Sequence, residues 1–180
     1  MIVVLNGPLG IGKSTLAEGL AEHIEQCVML DGDHLVAANP PAPDKREHLH
    51  STIALLVGHH RRFGYRNFVI DHLWRSAAEL ADLRLRLVDL DPDIRCFLLT
   101  LPADENLRRI ERRAAARAID EREFELRTFA EEHALLTGDP GADLGEPFDV
   151  SAPLPELVSA MLRRLGLADP RAHGSAPSSS

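Results

Sequence analysis

The sequence lacks the features that mark membrane-spanning, secreted and disulfide-rich proteins. No apolar run approaches the roughly 20 residues of a membrane-spanning helix, and no basic segment precedes the short apolar stretch at the N-terminus. Neither a membrane span nor a signal peptide is therefore predicted. Only two cysteines are present, Cys27 and Cys96, each within an apolar segment. We interpret them as two buried thiols rather than a disulfide or a metal site, and we expect a cytoplasmic location.

An excess of basic residues is also missing. The net charge of −8 argues against binding nucleic acid, because proteins that bind polyanions usually present a basic face. Hydrophobic residues make up 44% of the 180 residues, which suits one domain with a buried core. We expect that domain to span residues 1–167 and a disordered polar tail to span residues 168–180. No nucleic-acid or membrane partner is predicted, and both a monomer and a homodimer stay open.

What the sequence does contain is a phosphate-binding loop. Residues 7–14 match the motif G-x-x-x-x-G-K-[ST] and directly follow the apolar run at residues 2–5. Glycines in this motif let backbone N–H groups approach phosphate oxygens, and the following helix adds its unpaired amides and the positive end of its dipole. Lys13 is expected to reach the β- and γ-phosphates, and the Ser14 hydroxyl to ligate magnesium. The predicted nucleotide-binding residues are Gly7, Pro8, Leu9, Gly10, Ile11, Gly12, Lys13, Ser14, Thr15 and Arg109.

The rest of the chain alternates between predicted strands and helices. Strands are predicted at residues 2–5, 27–30, 67–71, 94–101 and 148–150, and helices at residues 13–25, 49–64, 76–87, 103–136 and 154–165. A break of the fourth helix near residue 119 is an alternative. This alternation predicts an α/β fold of three layers, in which helices cover both faces of a parallel sheet. Ligands of such sheets bind beyond the carboxyl ends of the strands, so the residues that follow each strand are the candidates for a site.

Two acidic residues follow the second predicted strand. Asp31 and Asp33 flank a glycine, and His34 comes next. Carboxylates at the mouth of a sheet need a partner, which magnesium or a substrate hydroxyl awaiting deprotonation would supply. The alternative is a solvated Asp-Gly turn. We favour the functional interpretation, with Asp33 ahead of Asp31, which would cap or hold the turn.

Asp71 and the only tryptophan, Trp74, follow the third predicted strand. An acid in this position holds magnesium through water in phosphate-transferring folds, and a purely structural role is an equal alternative. Trp74 would wall a pocket or pack in the core. The histidines show no convincing zinc spacing, so no zinc site is predicted. The predicted substrate-binding residues are Asp31, Asp33, His34, Asp71 and Trp74, and the predicted magnesium-site residues are Ser14, Asp33 and Asp71.

Arginines cluster after the fourth predicted strand. Arg109, Arg113 and Arg117 recur every four residues and share one helix face, with Arg108 and Arg112 beside them. A solvated charged face is the ordinary alternative. Arginine makes forked contacts to phosphate, however, and a movable helix that carries several arginines can close over a phosphoryl group in transfer. The predicted catalytic residues are Lys13, Asp33, Arg109 and Arg113.

Three of these segments together resemble the small P-loop kinases: the phosphate loop, Asp31-Gly32-Asp33, and the run at residues 107–113. That group includes gluconate, shikimate, adenylylsulfate and chloramphenicol kinases, with zeta-toxin-like and tunicamycin-resistance-like proteins. The resemblance reaches about Gly166. It implies the P-loop nucleoside-triphosphate hydrolase fold with a five-stranded parallel core, a mobile arginine-rich lid at about residues 103–136, a substrate site after the second strand and an adenine site near residues 148–151. The residues after Asp33 reproduce no substrate motif of these kinases in full, so no acceptor is implied.

These features predict an ATP- and Mg²⁺-dependent kinase that phosphorylates a hydroxyl group of a small molecule, with Asp33 orienting or deprotonating that hydroxyl. An antibiotic or other natural product is one class of acceptor, and a sugar acid or nucleoside is the alternative. Two other functions stay open. One is an ATP-binding accessory protein without a small-molecule acceptor, and the other is a polynucleotide-end kinase, which the acidic net charge disfavours. The sequence does not decide between ATP and GTP.

Overall fold

A computed structural model describes residues 1–114, 119–139 and 141–167, with only the backbone at residues 113–114 and 119–123. The strands are β1 (Ile2–Asn6), β2 (Cys27–Asp31), β3 (Asn67–His72), β4 (Ile94–Thr100) and β5 (Glu146–Asp149). The helices in these ranges are α1 (Lys13–His23), α2 (Gly32–Leu35), α3 (Lys45–Arg62), α4 (Ala77–Leu87), α5 (Ala103–Ala114), α6 (Ile119–Thr137) and α7 (Leu154–Arg164). The tail predicted at residues 168–180 lies outside the described residues.

The five strands form one parallel sheet in the order β2-β3-β1-β4-β5, which confirms the predicted fold class. The register of the parallel strands places their carboxyl ends together at one edge of the sheet. Asn6 at the end of β1 pairs with His72 at the end of β3, and Asp31 at the end of β2 pairs with Asp71. Polar residues that are far apart in sequence are therefore neighbours beside the phosphate loop.

The core has two halves because alternate residues of a strand face opposite sides of the sheet. On β1, Val3 and Leu5 pack with α1 and α7, whereas Ile2 and Val4 pack with α3 and α4. All four are fully buried. Helices thus cover both faces, as predicted. None of the helices within the described residues is long and apolar enough to cross a membrane.

The structure differs from the sequence-based expectations in three places. A short helix, α2, forms where a turn was expected, because the Asp31 carboxylate accepts from the N–H groups of Asp33 and His34 and closes one helical turn. β5 includes Pro147, which precedes the strand predicted at residues 148–150, and an edge strand tolerates a proline because the missing N–H need not pair with a neighbour.

The two cysteines are the third difference. Both are free thiols, but only Cys96 is buried, while Cys27 is half-buried at the start of β2. Burial raises the pKa of Cys27 to about 11 and also raises the pKa of Cys96. Both are therefore protonated, unreactive thiols at neutral pH.

Candidate active site

The phosphate loop joins β1 to α1 and depends on left-handed backbone at two glycines. Gly12 has φ +101° and forms the N-cap of α1, and Gly10 has φ +77°. A side chain is strained at such φ values, and a Cβ on Gly10 would also collide with Ile110 of α5. The loop therefore turns sharply and exposes backbone N–H groups at the start of a helix, where anions bind.

Lys13 folds back over this loop. Its Nζ donates hydrogen bonds to the carbonyl oxygens of Gly7 at 2.9 Å and Pro8 at 3.1 Å. Burial lowers the pKa of Lys13, and the carboxylates of Asp33, Glu132, Asp71 and Asp31 oppose that shift, in this order. The ammonium is thus held next to a set of acids at the mouth of the sheet.

Ser14 and Asp71 form a pair that suits a magnesium ion. The Ser14 hydroxyl donates to Asp71 Oδ2 at 2.7 Å. Asp71 is 2% exposed, and its Oδ1 is buried without a hydrogen-bond partner among the described residues. Burial raises the pKa of this carboxyl, and the Ser14 hydrogen bond opposes the shift. A hydroxyl beside an unpaired carboxylate oxygen fits Mg²⁺, which uses few protein oxygens and keeps several waters.

The two aspartates after β2 have different environments. Asp31 is the N-cap of α2, so its Oδ1 is occupied by backbone N–H groups. Asp33 points outward with its side chain 73% exposed, and its Oδ1 lies 2.8 Å from Nδ1 of His72. That contact lowers the pKa of Asp33, with help from Lys13 and His34. Asp33 is therefore an ionised carboxylate at neutral pH. The His34 ring is 86% exposed and lies 3.3 Å from Asp31 Oδ2.

Arg109 lies at a cavity on the other side of the phosphate loop. Its guanidinium donates to the Val150 carbonyl at 2.9 Å and contacts Glu105 at 3.3 Å. The cavity has a volume of about 340 Å³ and is lined by Arg109, Gly12, Thr15, Val150, Ala152 and Leu157, among others. Its mixture of loop backbone, apolar walls and one cation suits a nucleotide base and sugar. Arg113 and Arg117 were predicted beside Arg109, but the side chain of Arg113 and the whole of Arg117 lie outside the described residues.

Helices α5 and α6 both contact the phosphate loop at Leu9. The Leu9 N–H donates to Glu132 Oε2 at 2.6 Å, and the Leu9 carbonyl accepts from Asn106 Nδ2 at 3.3 Å. Asn106 is buried, and its Oδ1 has no partner within the described part of the chain. A carboxylate from α6 therefore accepts a hydrogen bond from a backbone N–H of the loop, next to Lys13.

Asn6, directly before the phosphate loop, joins the segment after β3 to the segment before β5. Its fully buried amide donates to the carbonyl oxygens of Trp74 at 3.1 Å and Leu144 at 3.2 Å, and accepts from the Trp74 N–H at 2.9 Å. The Trp74 indole donates to His50 Nε2 at 3.1 Å, while His50 Nδ1 lies 2.7 Å from Asp82 Oδ2. Every polar atom of Trp74 is thus fixed.

Comparison with known protein families identifies the family of this chain. The sequence profile of one family, described as AAA domain, matches residues 2–137, which include the phosphate loop, Asp33, Asp71 and Arg109. The chain belongs to the AAA domain family. This AAA domain has the P-loop kinase fold, so the resemblance to the small P-loop kinases is confirmed. No curated protein matches the chain by sequence.

Solved structures of the same fold resemble this AAA domain along nearly its whole length. The tunicamycin resistance protein of Deinococcus radiodurans is 18% identical, with a TM-score of 0.63 over 93% of this chain and 96% of that one. A gluconokinase from Sinorhizobium meliloti 1021 is 22% identical, with a TM-score of 0.60 over 91% of each chain. The shikimate kinase of Bacteroides thetaiotaomicron is 14% identical, with a TM-score of 0.57 over 93% of this chain and 99% of that one. At these identities the likeness establishes the fold.

Four residues of this AAA domain reach the site without having been predicted: His50, His72, Asn106 and Glu132. His72 carried a usable signal, since it directly follows Asp71 at the end of a strand. The other three lie inside helices, and only the packing of those helices brings them to the site. Trp74 combines the two roles considered for it, because it is 1% exposed and also lines a cavity.

Proposed function

We propose that this AAA domain is an ATP- and Mg²⁺-dependent kinase that transfers the γ-phosphoryl group to a hydroxyl of a small molecule. The observation that carries the proposal is the position of Asp33. An ionised, exposed carboxylate contacts His72 at the mouth of the sheet. It also lies close enough to Lys13 of the phosphate loop that the ammonium helps to lower its pKa. A protein that only bound a nucleotide would not need a carboxylate in a position to receive the proton of an acceptor hydroxyl.

The roles of the donor residues follow from their contacts. Backbone N–H groups of the phosphate loop and the Lys13 ammonium bind the phosphates, and Arg109 contacts the nucleotide from α5. Ser14 and Asp71 would hold magnesium, which when bound neutralises charge on the phosphate oxygens. Lys13 must leave the Gly7 and Pro8 carbonyl oxygens to reach a phosphate, so its present hydrogen bonds serve as a resting position.

The transfer step uses Asp33 as the group that orients the acceptor and takes its proton. The acceptor oxygen forms a bond to the γ-phosphorus, and the bond from that phosphorus to the oxygen shared with the β-phosphate breaks. ADP leaves with the bonding electrons, and the hydroxyl proton passes to Asp33. The low pKa of Asp33 suits a loose transition state, in which the proton leaves late and the carboxylate mainly positions the hydroxyl.

The acceptor is proposed to be an antibiotic, another natural product, a sugar acid or a nucleoside. Two structures of the same fold are named as a tunicamycin resistance protein and a gluconokinase, which supports a small-molecule acceptor. The test is a screen of hydroxylated metabolites and antibiotics with ATP and Mg²⁺, in which mass spectrometry detects the gain of one phosphate.

Asp33→Asn is the decisive variant in that screen. It should lower transfer by about 10²- to 10⁴-fold while leaving the ATP dissociation constant nearly unchanged, since it removes the proton acceptor and leaves the loop intact. Asp89→Asn, at an exposed aspartate after α4, is the matched control and should retain full activity. Full transfer by Asp33→Asn would exclude Asp33 from this role, and ATP turnover that is independent of every added acceptor would favour an accessory ATPase.

A further inference from the structure

A second cavity opens beside Asp33, on the side of the sheet away from the nucleotide cavity. Its volume is about 430 Å³, within the range of about 300–1,000 Å³ that is usual for small-molecule sites. The end of β3, the start of α3 and the start of α4 form its walls. His72 lines it and contacts Asp33, so this cavity adjoins the carboxylate that the proposed kinase uses.

Three cations surround this cavity without counterions. Lys45, Arg46 and Arg75 all line it, and none of their side chains has a hydrogen bond or ion pair within the described ranges. Such an excess of positive charge is unusual in a chain of net charge −8. Lys45 and Arg46 also begin an 18-residue helix, whose positive dipole end adds to the potential.

The acidic residues nearby are engaged elsewhere. Glu79, which lines the cavity, accepts from the Arg75 backbone N–H at 2.7 Å. Glu47 binds Arg86 through both carboxylate oxygens, at 3.0 Å and 2.6 Å, and Asp82 binds His50 and Arg86. Glu79 keeps its negative charge, because its partner is a neutral N–H group, so the lining carries three cations and one carboxylate, and the remaining positive charge is available to a ligand.

The inner wall of the cavity is rigid and largely apolar. Trp74 and His50 are each 1% exposed and bonded to each other, and Leu49 adds an aliphatic surface. The His72 ring meets the Trp74 ring edge-on at 5.4 Å between centroids. A ligand therefore encounters an ordered apolar floor, a cationic rim and a carboxylate at one end.

We propose that this cavity binds an acceptor that carries an anionic group, a carboxylate or a phosphate, in addition to the hydroxyl that is phosphorylated. Lys45, Arg46 and Arg75 bind the anion, Trp74 and Leu49 contact the carbon skeleton, and the hydroxyl lies at Asp33. The inference rests on the proposed kinase function where it concerns phosphorylation. Binding of the anionic group by the three cations does not depend on that function.

Matched acceptor pairs test the charge requirement. The full-length protein is assayed with ATP, Mg²⁺ and either a hydroxy acid or its neutral counterpart: gluconate against glucitol, and nucleoside monophosphates against nucleosides. The anionic member of a pair should gain phosphate at least about tenfold more efficiently than the neutral one, as expected for the loss of a charge-assisted contact. Equal efficiency of both members would overturn the proposal, and the two pairs distinguish a carboxylate from a phosphate.

Variants of the rim locate the site. Lys45→Ala and Arg75→Ala should each raise the KM for the anionic acceptor roughly tenfold or more, with kcat and the KM for ATP nearly unchanged. Arg163→Ala, at an exposed arginine of α7, is the matched control. Unchanged acceptor KM in both rim variants would place the anion elsewhere.

Amine labelling separates failure of the anion site from failure of the kinase function. Lys13 and Lys45 are the only lysines in the chain, so an amine-reactive reagent has two side-chain targets and the N-terminus. ATP should protect Lys13, whereas gluconate or a nucleoside monophosphate at millimolar concentration should protect Lys45, as measured by peptide mass spectrometry. Protection of Lys45 without phosphate transfer would retain the anion site and reject the kinase. The absence of Lys45 protection by every acid would reject the anion site.

Discussion

The two halves of the candidate site, one for the phosphate donor and one for the proposed acceptor, use different chemical groups. The donor half is mainly backbone: the N–H groups of one continuous loop, fixed by two left-handed glycines and supplemented by Lys13. The proposed acceptor half is made of side chains from α2, α3, the start of α4 and the segment at and after the end of β3, with Asp33, His72 and Trp74 at its centre. Backbone N–H groups bind any phosphate, so the donor half suits any nucleoside triphosphate, whereas the side chains of the proposed acceptor half would select the acceptor.

The largest expected effect tests whether the halves are separate. Lys13→Met should weaken ATP binding and lower phosphoryl transfer by about 100-fold or more, because it removes the cation that meets the β- and γ-phosphates. Lys45→Met should leave the ATP dissociation constant within about twofold, because Lys45 lines only the acceptor cavity. Titration calorimetry with ATP measures both. A similar loss of ATP affinity in both variants would contradict the division.

Asn6 joins the two halves, so its removal should destabilise the whole protein. Asn6→Ala leaves the buried N–H and carbonyl of Trp74 and the carbonyl of Leu144 without their partner. We expect a loss of roughly 2–4 kcal/mol in the free energy of unfolding, measured by urea denaturation. Asn67→Ala, which removes one exposed hydrogen bond to the Glu25 carbonyl, should cost less than about 1 kcal/mol. Equal losses would mean that Asn6 has no special role.

At Asp71, in the donor half, one substitution can test both the stability of the protein and its activity. Its pKa is raised by burial, so the folded protein binds a proton there more readily than the unfolded chain. This contribution favours folding most below the ordinary carboxyl pKa of 3.8, and it is lost as pH rises through the higher folded pKa.

Asp71→Asn removes that pH dependence. Between pH 7 and pH 4, the wild-type protein should therefore gain stability relative to the variant. At pH 7 the variant should be no less stable than the wild type, yet its Mg²⁺-dependent transfer should fall by at least about tenfold. Thermal unfolding across this pH range measures the difference. A constant difference would show that burial of the Asp71 charge carries no penalty.

Glu132 should produce the smallest effect, and in the opposite direction. Its carboxylate accepts from the Leu9 N–H at 2.6 Å and lies near Lys13, so an arriving triphosphate must approach a negative charge. Glu132→Gln should tighten ATP binding by about three- to tenfold, measured by calorimetry. Glu131→Gln, at the exposed neighbouring residue, should change nothing. Weaker ATP binding in Glu132→Gln would instead make Glu132 part of the nucleotide site.

The geometry of the phosphate loop could be predicted from the sequence because its residues are contiguous. A strand, a glycine-rich turn and a helix are local features, and the loop residues 7–14 carry their own geometry. The order of strands and helices also predicted the parallel sheet correctly. Even Asp31 followed this logic, since its capping role needs only the two residues after it.

The acceptor half could not be predicted in the same way because long-range packing creates it. His50 gains its role only when α3 packs on α4 and brings Asp82 to one ring nitrogen and Trp74 to the other. The contact between Asp33 and His72 depends on the pairing of β2 with β3. The contact of Glu132 with Leu9 spans 123 residues. No local spacing encodes such contacts.

The cationic rim of the acceptor cavity has a consequence for how such an enzyme diverges. Lys45, Arg46 and Arg75 are exposed and bonded to nothing else in the described chain, so replacing them disturbs no packing. The frame beneath them is held by buried hydrogen bonds that a new rim leaves untouched. If the proposed kinase function holds, a few surface substitutions would be enough for a duplicated copy to acquire a new acceptor, and a library randomised at these three positions is a practical starting point for changing it.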